Sequence, residues 1–161
     1  MKKKSIENTS DYYLTKAEID KKAGEILAEK RLYSQAIYFS SQAMEKFIKA
    51  EICKKINIAN KYTHDLVNKH SIKDLMIFLI NISVPDKPIT NKLFKEQLSN
   101  QVKEILGEIN YDTLHNNLRY PYYNSKSKEF VTFIYEEKDY KKINETFKKL
   151  KIYISQLYKI N

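Results

Sequence analysis

The pattern of apolar and polar positions is clearest in the stretch 33–55, which contains no glycine or proline. Apolar residues recur there at helical spacing and form one stripe, made of Tyr33, Ile37, Met44, Ile48 and Ile52. A second, mostly small stripe lies beside it, made of Ala36, Ser40, Ala43, Phe47 and Ala50. Because small residues let another helix approach closely, the pattern predicts a central helix with neighbours on two sides. The third face is polar, and Glu45 precedes Lys49 by one turn, which favours a surface ion pair.

A second helical pattern precedes this central helix. It begins near Tyr12, where Ser10 or Asp11 can act as the N-cap, and it continues to about Glu29. Its apolar stripe consists of Tyr12, Leu14, Ala17, Ile19, Ala23, Ile26 and Leu27. The joint to the central helix is short, so the two helices are expected to be antiparallel. Residues 1–10 are expected to be a disordered basic N-terminus, followed by one helical domain over 11–161.

The middle of the chain predicts two further helices. The range 57–69 has no period and is expected to be a loop. Ser71 and Asp74 form a capping box before a short, very apolar helix, which the prolines at 85 and 88 should end. A new pattern starts at Thr90, is weakened slightly by glycine at 107, and resumes until Pro121.

The last helix has the most regular pattern of the chain. Its apolar residues follow a heptad seam, made of Tyr140, Ile143, Phe147, Leu150, Ile154 and Leu157. Packing of this seam on its own bundle is favoured over an intermolecular coiled coil. The patch Phe130–Tyr135 before it looks extended, but no partner strand is evident, so it is expected to be coil packed on the bundle.

Composition agrees with a helical protein. Glycine occurs twice and proline three times, too few for many tight turns. We therefore predict an all-α, up-and-down bundle of about four long helices plus one short helix. The single cysteine excludes an internal disulfide, and the basic start of the chain is not followed by an apolar signal region. A soluble, cytoplasmic protein is expected.

The net charge of +9 indicates a polyanionic partner such as RNA, DNA or a nucleotide. The alternative is that the charge serves only solubility. Arginine is rare here, and one of the two arginines, Arg119, stands before Tyr120 and Pro121. A guanidinium group offers a flat set of donors that matches phosphate, whereas Arg119 could also cap its own helix.

Three segments carry a resemblance to a known family. The central helix contains Ser-Gln-Ala-Met-Glu-Lys-Phe-Ile-Lys-Ala at 41–50, which resembles the core helix of HEPN-domain proteins. His70 to Leu75 and Leu118 to Pro121 are similar to two later features of that family, in the same order. His64 and His70 both resemble the histidine that begins the family's third helix, and His70 fits better because Ser71 can cap that helix.

The resemblance also bears on activity. HEPN ribonucleases carry an arginine followed four to six residues later by a histidine, and two subunits together form a metal-independent site. In this sequence no histidine follows Arg119. The chain is more similar to short HEPN proteins with an Arg-Tyr-Pro turn, which are commonly partnered with a minimal nucleotidyltransferase in toxin–antitoxin modules. The resemblance thus implies a homodimeric, nucleotide- or RNA-binding subunit without efficient catalysis, and no metal or cofactor.

The candidate ligand-binding residues are Arg119, Tyr120, Lys46, Lys49 and Gln42. Arg119 would bind phosphate, the two lysines would add positive potential, and Gln42 would offer a hydrogen bond. Neighbouring acids could instead neutralise the lysines. Tyr120, with Tyr122 and Tyr123, could stack on a base or pack the turn.

Two other functions remain open. In an endoribonuclease toxin, Arg119 would stabilise charge on the phosphate, and His115, one helical turn before it, or a tyrosine would replace the missing histidine. The third possibility is a non-enzymatic helical interaction module.

Overall fold

Helix α2 spans Tyr33–Lys55, the bounds that its sequence pattern predicts, and lies at the centre of the bundle. The computed structural model describes residues 8–56, 70–84, 90–107, 109–118 and 120–159. Both predicted stripes of α2 face inward, with only Tyr33 and Phe47 half-buried. Glu45 and Lys49, on the third face, are buried as well. The expectation of a surface ion pair at this position is therefore wrong.

Helix α1 spans Thr9–Glu29 and starts earlier than the sequence pattern predicts. Its N-cap is Asn8, whose side-chain oxygen accepts a hydrogen bond from the backbone amide of Asp11 at 3.3 Å. Ser10 is therefore not the N-cap. Its hydroxyl donates a hydrogen bond to the carbonyl of Ala50 in α2 at 3.1 Å. This contact ties the start of α1 to the end of α2.

The face of α1 that packs on α2 differs from the predicted apolar stripe. Tyr12, Ile19 and Ile26 are exposed, whereas the buried residues are small or polar: Ser10, Ala17, Asp20 and Gly24. The reason is close approach, since a Cβ atom on Gly24 would lie 3.0 Å from the carbonyl oxygen of Ala36. The first part of α1 thus contacts the last part of α2, and the last part of α1 contacts the first part of α2. The two helices are therefore antiparallel, as predicted.

The joint between α1 and α2 is closed by backbone hydrogen bonds. Arg31 adopts a φ of 59°, in the left-handed region. Its amide donates to the carbonyl of Ala28, and the amide of Leu32 donates to Leu27, each at 2.9 Å. This is the Schellman arrangement, which ends a helix and reverses the chain in few residues.

Helix α3 spans Ile72–Ser83, and Ser71 caps it as predicted. The Ser71 hydroxyl accepts a hydrogen bond from the amide three residues further on, at 3.2 Å. Helix α3 packs on α2 with its most apolar residues inward. The predicted loop 57–69 and the two prolines, Pro85 and Pro88, lie outside the described residues.

The helical pattern that begins at Thr90 is divided in two by the structure. Helix α4 spans Thr90–Leu106, and the short helix α5 spans Tyr111–Asn117. Gly107 has a φ of +62°, a conformation that glycine adopts at little cost, and its amide donates to the Lys103 carbonyl at 2.9 Å. The expectation that this glycine only weakens the helix is wrong, because it ends α4 and lets the chain turn into α5.

A two-stranded antiparallel hairpin follows α5. Strand β1 spans Tyr122–Asn124 and strand β2 spans Glu129–Val131. The start of the extended patch therefore has a partner strand in the residues just before it, and the expectation of coil is wrong there. Residues 132–135 are coil as expected, and Tyr135 packs against the core. Phe130 and Ile134 are both strongly exposed, which shows that the hairpin projects from the bundle.

Helix α6 spans Glu137–Leu157 and confirms the last predicted helix. Its seam packs on α2 and α4, and five of the six seam residues are buried, with Tyr140 half-buried. The edge-on contact of Phe47 with Phe147, with ring centroids 5.8 Å apart, joins α2 to α6. The described residues thus form an all-α bundle with one small hairpin, and the predicted fold class is confirmed. No helix within these residues is long and apolar enough to cross a membrane.

Candidate functional site

The polar face of α2 contains a buried ion pair. Lys49 Nζ lies 2.7 Å from Glu45 Oε1, and each side chain retains less than a tenth of its exposure. A buried carboxylate is costly unless it is paired with a cation and hydrogen-bonded, and Lys49 supplies that charge. Lys49 is therefore committed to Glu45 rather than projecting as a free cation.

His70 contacts the same carboxylate from the start of α3. Its Nδ1 lies 3.1 Å from Glu45 Oε1, and its side chain is 80% exposed. An ionised carboxylate only accepts hydrogen bonds, so Nδ1 donates to it, and in the neutral ring the Nε2 lone pair is then free to accept a proton. The pair therefore has the arrangement of a general base held by a carboxylate.

A cavity of about 220 Å³ opens beside this pair. It is lined by Ser41, Gln42, Glu45, His70, Ile72, Tyr111 and Asn116. The lining thus comes from three places in the chain: the polar face of α2, the start of α3, and α5. Amide, hydroxyl, imidazole and carboxylate groups surround a small volume, which suits a ligand with several hydrogen-bonding atoms. We call this the polar cavity.

A second cavity, of about 310 Å³, shares Tyr111 with the polar cavity. It is also lined by Lys73 of α3, by Lys103 and Leu106 of α4, and by Gly107, Ile109 and Asn110, and its described lining contains no carboxylate. Lys103 Nζ also donates to Asn100 Oδ1 at 3.1 Å, an uncharged partner, and among the described residues no carboxylate forms an ion pair with this ammonium group. We call this the basic cavity.

Tyr111 stands between the two cavities at the start of α5. Burial raises the pKa of Tyr111 to about 12, and the nearby Thr146 hydroxyl opposes part of that rise. Among the described residues, no group makes a hydrogen bond of proper geometry to the Tyr111 hydroxyl. The phenol is thus neutral at physiological pH, and its hydroxyl is enclosed near Thr146, while other parts of the side chain or backbone of Tyr111 line both cavities.

The structure places the predicted site residues in different surroundings. Gln42 lines the polar cavity, as a ligand-binding role requires. Lys46 is paired with Asp20 of α1, and Lys49 with Glu45. Acids thus engage both lysines, the alternative that the sequence left open, and their ligand-binding role stays a prediction.

The residues around the Arg-Tyr-Pro turn are only partly described. Arg119 lies outside the described residues, as does His64, and nothing is described of the His115 side chain. Tyr120 is exposed, and its amide donates to the carbonyl of Asn116 at 2.9 Å. Since Asn116 lines the polar cavity, the described chain passes directly from that cavity to Tyr120.

Sequence reasoning missed the main features of this site. It placed His70 only at the beginning of the third helix of the resemblance, whereas the structure brings its side chain to Glu45, which is 25 residues away in the chain. Lys73 and Lys103 look like ordinary surface lysines in the sequence. Only the capping serine after His70 indicated that this histidine stands at a fixed place, the beginning of α3.

The described residues form a helical bundle around α2, with the polar cavity at the polar face of that helix and the basic cavity between α3, α4 and α5. The family model for the HEPN domain matches residues 10–151, most of the chain. This protein therefore belongs to the HEPN-domain family. No curated protein and no solved structure matches the chain significantly.

Proposed function

We propose that this HEPN-domain protein is a nucleotide- or RNA-binding subunit without efficient catalysis. The observation that carries the proposal is the pair of adjoining cavities that share Tyr111. One is lined by neutral and paired polar groups, and the other by two lysines. A nucleotide has the same division, with a neutral base and ribose on one side and an anionic phosphate on the other.

The polar cavity suits the base or the ribose. Gln42 and Asn116 bring amide groups that donate and accept hydrogen bonds, and base edges and ribose hydroxyls offer the complementary atoms. Glu45 is already neutralised by Lys49, so the cavity does not present an unpaired negative charge to a nucleotide. A volume of about 220 Å³ admits one such group and not an oligonucleotide.

The basic cavity suits the phosphate. Two ammonium groups without an acid in the described lining produce a positive potential that a phosphate would neutralise. Arg119 remains our proposed additional phosphate contact, because its guanidinium group carries donors that match phosphate oxygens. Lys46 and Lys49 would act at longer range, through their pairs, by keeping the α2 side of the site neutral.

Titration of the wild-type protein with AMP and with adenosine tests this proposal. We expect AMP to bind more tightly, and Lys73→Ala or Lys103→Ala to weaken AMP binding about tenfold or more, because a hydrogen bond to a charged group contributes roughly 1.5–3 kcal/mol. Lys92→Ala, an exposed lysine of α4 outside both cavities, is the matched control. Equal AMP affinity in all three variants would contradict the proposed phosphate position.

The family resemblance extends the proposal to partners. We propose a homodimer in the cytoplasm that pairs with a minimal nucleotidyltransferase in a module of the toxin–antitoxin kind. A nucleotidyltransferase reading frame beside that of this protein, whose product copurifies with it, is the expected result. A neighbouring product that does not copurify would remove the partner while leaving nucleotide binding to stand.

A second candidate function is a metal-independent endoribonuclease. The contact of His70 with Glu45 favours it, because it supplies a base that the sequence after Arg119 lacks. His70 Nε2 would take the proton of a ribose 2′-hydroxyl, whose oxygen attacks the adjacent phosphorus. The bond from phosphorus to the 5′-oxygen breaks, the 5′-oxygen takes a proton from water, and a cyclic phosphate remains.

An RNA cleavage assay in the presence of EDTA separates the two functions. Cleavage that is lost in Arg119→Ala and His70→Ala, but kept in His115→Ala, would favour the enzyme with His70 as base. Loss in His115→Ala instead would return the role to the residue that the sequence suggested. No cleavage at any protein concentration would remove the enzyme, and failure to bind any RNA or nucleotide at low salt would favour a plain interaction module.

A further inference from the structure

The hairpin β1–β2 presents aromatic rings to solvent, and none of its residues is among those that line the two cavities. Phe130 is 75% exposed and Tyr123 is 55% exposed, and Tyr122 and Phe133 are also exposed. The hairpin packs little on the helices, so these rings do not contribute to the main core. Grouped exposed rings on a small domain indicate a surface that binds a partner.

The rings are arranged as pairs on the two faces of the hairpin. Tyr123 and Phe130 are directly opposite in the register, with ring centroids 5.4 Å apart and planes at 60°. Tyr122 and Phe133 are nearly parallel, at 5.5 Å and 24°. Because side chains alternate along a strand, Tyr122 points away from the Tyr123 side. The outward pair, Tyr123 and Phe130, therefore offers a ring face to a flat group.

Two lysines stand at the tip of this hairpin. Asn124 Oδ1 accepts hydrogen bonds from the amides of Lys126 and Ser127, at 3.0 and 3.4 Å, and so fixes the turn. Lys126 and Lys128 are exposed, and in the described chain no carboxylate pairs with either ammonium group. Glu129 is the only acid of the hairpin and turn. The tip is thus positively charged, next to the rings.

We propose that this hairpin binds a single-stranded nucleic acid, whose bases stack on Tyr123 and Phe130 while its phosphates lie beside Lys126 and Lys128. We take RNA rather than DNA as the nucleic acid because the proposed function involves RNA, and the inference rests on the proposed function only for this choice between RNA and DNA. Every base has a flat face that stacks on an aromatic ring, and unpaired strands expose those faces. A second copy of this chain fits less well, since each copy carries a net charge of +9 and brings the same cationic tip.

Fluorescence anisotropy with a short, labelled oligouridylate tests the hairpin in the full chain. We expect Phe130→Ala to weaken binding roughly 5- to 100-fold, because loss of one stacking ring typically has such an effect. Phe130→Tyr keeps a ring and should bind as the wild type does. Ile134→Ala, which removes an exposed side chain without a ring at the end of the hairpin, is the matched control and should also bind normally. Lys126→Ala should reduce the salt dependence of binding.

A second set of probes distinguishes single strands from duplexes and RNA from DNA. A duplex of the same length should bind more weakly than the single strand, and oligothymidylate shows whether DNA serves as well as RNA. Equal binding of oligouridylate by wild type, Phe130→Ala and Tyr123→Ala, or no binding by the wild type, would overturn the inference. The inference would also be overturned if the wild type were a dimer, Phe130→Ala were a monomer, and the two had the same RNA affinity, because the rings would then join two copies of the chain.

The AMP titration keeps this inference separate from the proposed cavity function. Loss of oligouridylate binding in Phe130→Ala, with AMP binding unchanged, would support both sites. Loss of oligouridylate binding in that variant, in a protein that binds no AMP, would support the hairpin and contradict the cavities.

Discussion

The phenol of Tyr158, just beyond α6, donates a hydrogen bond to the carboxylate of Glu51 in α2, with Oη and Oε2 2.7 Å apart. Lys54 Nζ lies 2.7 Å from the other carboxylate oxygen. Glu51 is buried, so these two contacts supply the hydrogen bonds that its charge would otherwise take from water. The end of the last helix is thereby fastened to the central helix across 107 residues of sequence.

Tyr158→Phe should lower the free energy of unfolding by about 1–3 kcal/mol, because it removes a hydrogen bond to a buried charge. Urea denaturation of the variant and the wild type measures the difference. Tyr12→Phe, at an exposed tyrosine of α1, is the control and should change stability little. Equal stability of Tyr158→Phe and the wild type would mean that water replaces the phenol at Glu51.

Stability should fall at alkaline pH because of buried tyrosines. Burial raises the pKa of Tyr153 to about 12, and its hydroxyl donates to the Leu98 carbonyl at 3.0 Å. The folded state holds this proton more tightly than the unfolded state, where the pKa is about 10. The stabilising contribution is therefore complete below about pH 10 and is lost as the pH rises toward 12.

Urea denaturation across this pH range checks the effect. Tyr153→Phe should be less stable than the wild type at neutral pH, since the hydrogen bond is lost, but its stability should decline less steeply above pH 10. Parallel curves for the two proteins would show that Tyr153 does not contribute to the alkaline decline.

Gly24→Ala should destabilise the α1–α2 pair by about 1–3 kcal/mol, the usual range for overpacking a tight contact. The new Cβ would lie 3.0 Å from both the Ala36 carbonyl oxygen and the Ser40 hydroxyl oxygen, so the helices must separate. Lys22→Ala, on the exposed side of α1, is the control. Thermal or urea denaturation measures the change. An increase in stability, as expected for alanine in an uncrowded helix, would contradict the close approach.

Lys49→Met should lower stability by roughly 3–5 kcal/mol, because it leaves the buried Glu45 carboxylate without its lysine. Lys46→Met should lower it by less, since its pair with Asp20 is more accessible to water. The double change Glu45→Gln with Lys49→Met should recover much of the loss. Equal losses of stability in the two lysine variants would mean that burial does not distinguish the two ion pairs. If Lys49→Met instead lost AMP affinity without losing stability, that result would support the predicted ligand-binding role of Lys49.

The sequence predicts those parts of the fold in which hydrophobic periodicity is strong. The bounds of α2 and the seam of α6 follow from apolar positions that repeat at helical spacing over many turns. Most of the buried face of α1 could not be predicted in this way, because close packing selects Ser10, Asp20 and Gly24 over the larger side chains, and only Ala17 of the predicted stripe is buried. The hairpin was not predictable by period, since each strand has three residues.

The candidate site was less accessible to sequence reasoning. Gln42 was identified because it lies on the polar face of a clear helix. Glu45 and His70, or Lys73 and Lys103, become neighbours only when three helices are packed, and no local spacing connects them. The end of α4 at Gly107 was also not predictable from the sequence, because a glycine within an apolar pattern can either continue a helix or end it.

The separation of the hairpin from the helices has a consequence for how such a chain can change. Lys126 and Lys128 at its tip are exposed and line neither cavity, so substitutions there should leave the packed interior unchanged, and affinity for the proposed nucleic acid could then be adjusted without a penalty in folding. A grafted hairpin of different composition would then give the same bundle a new target.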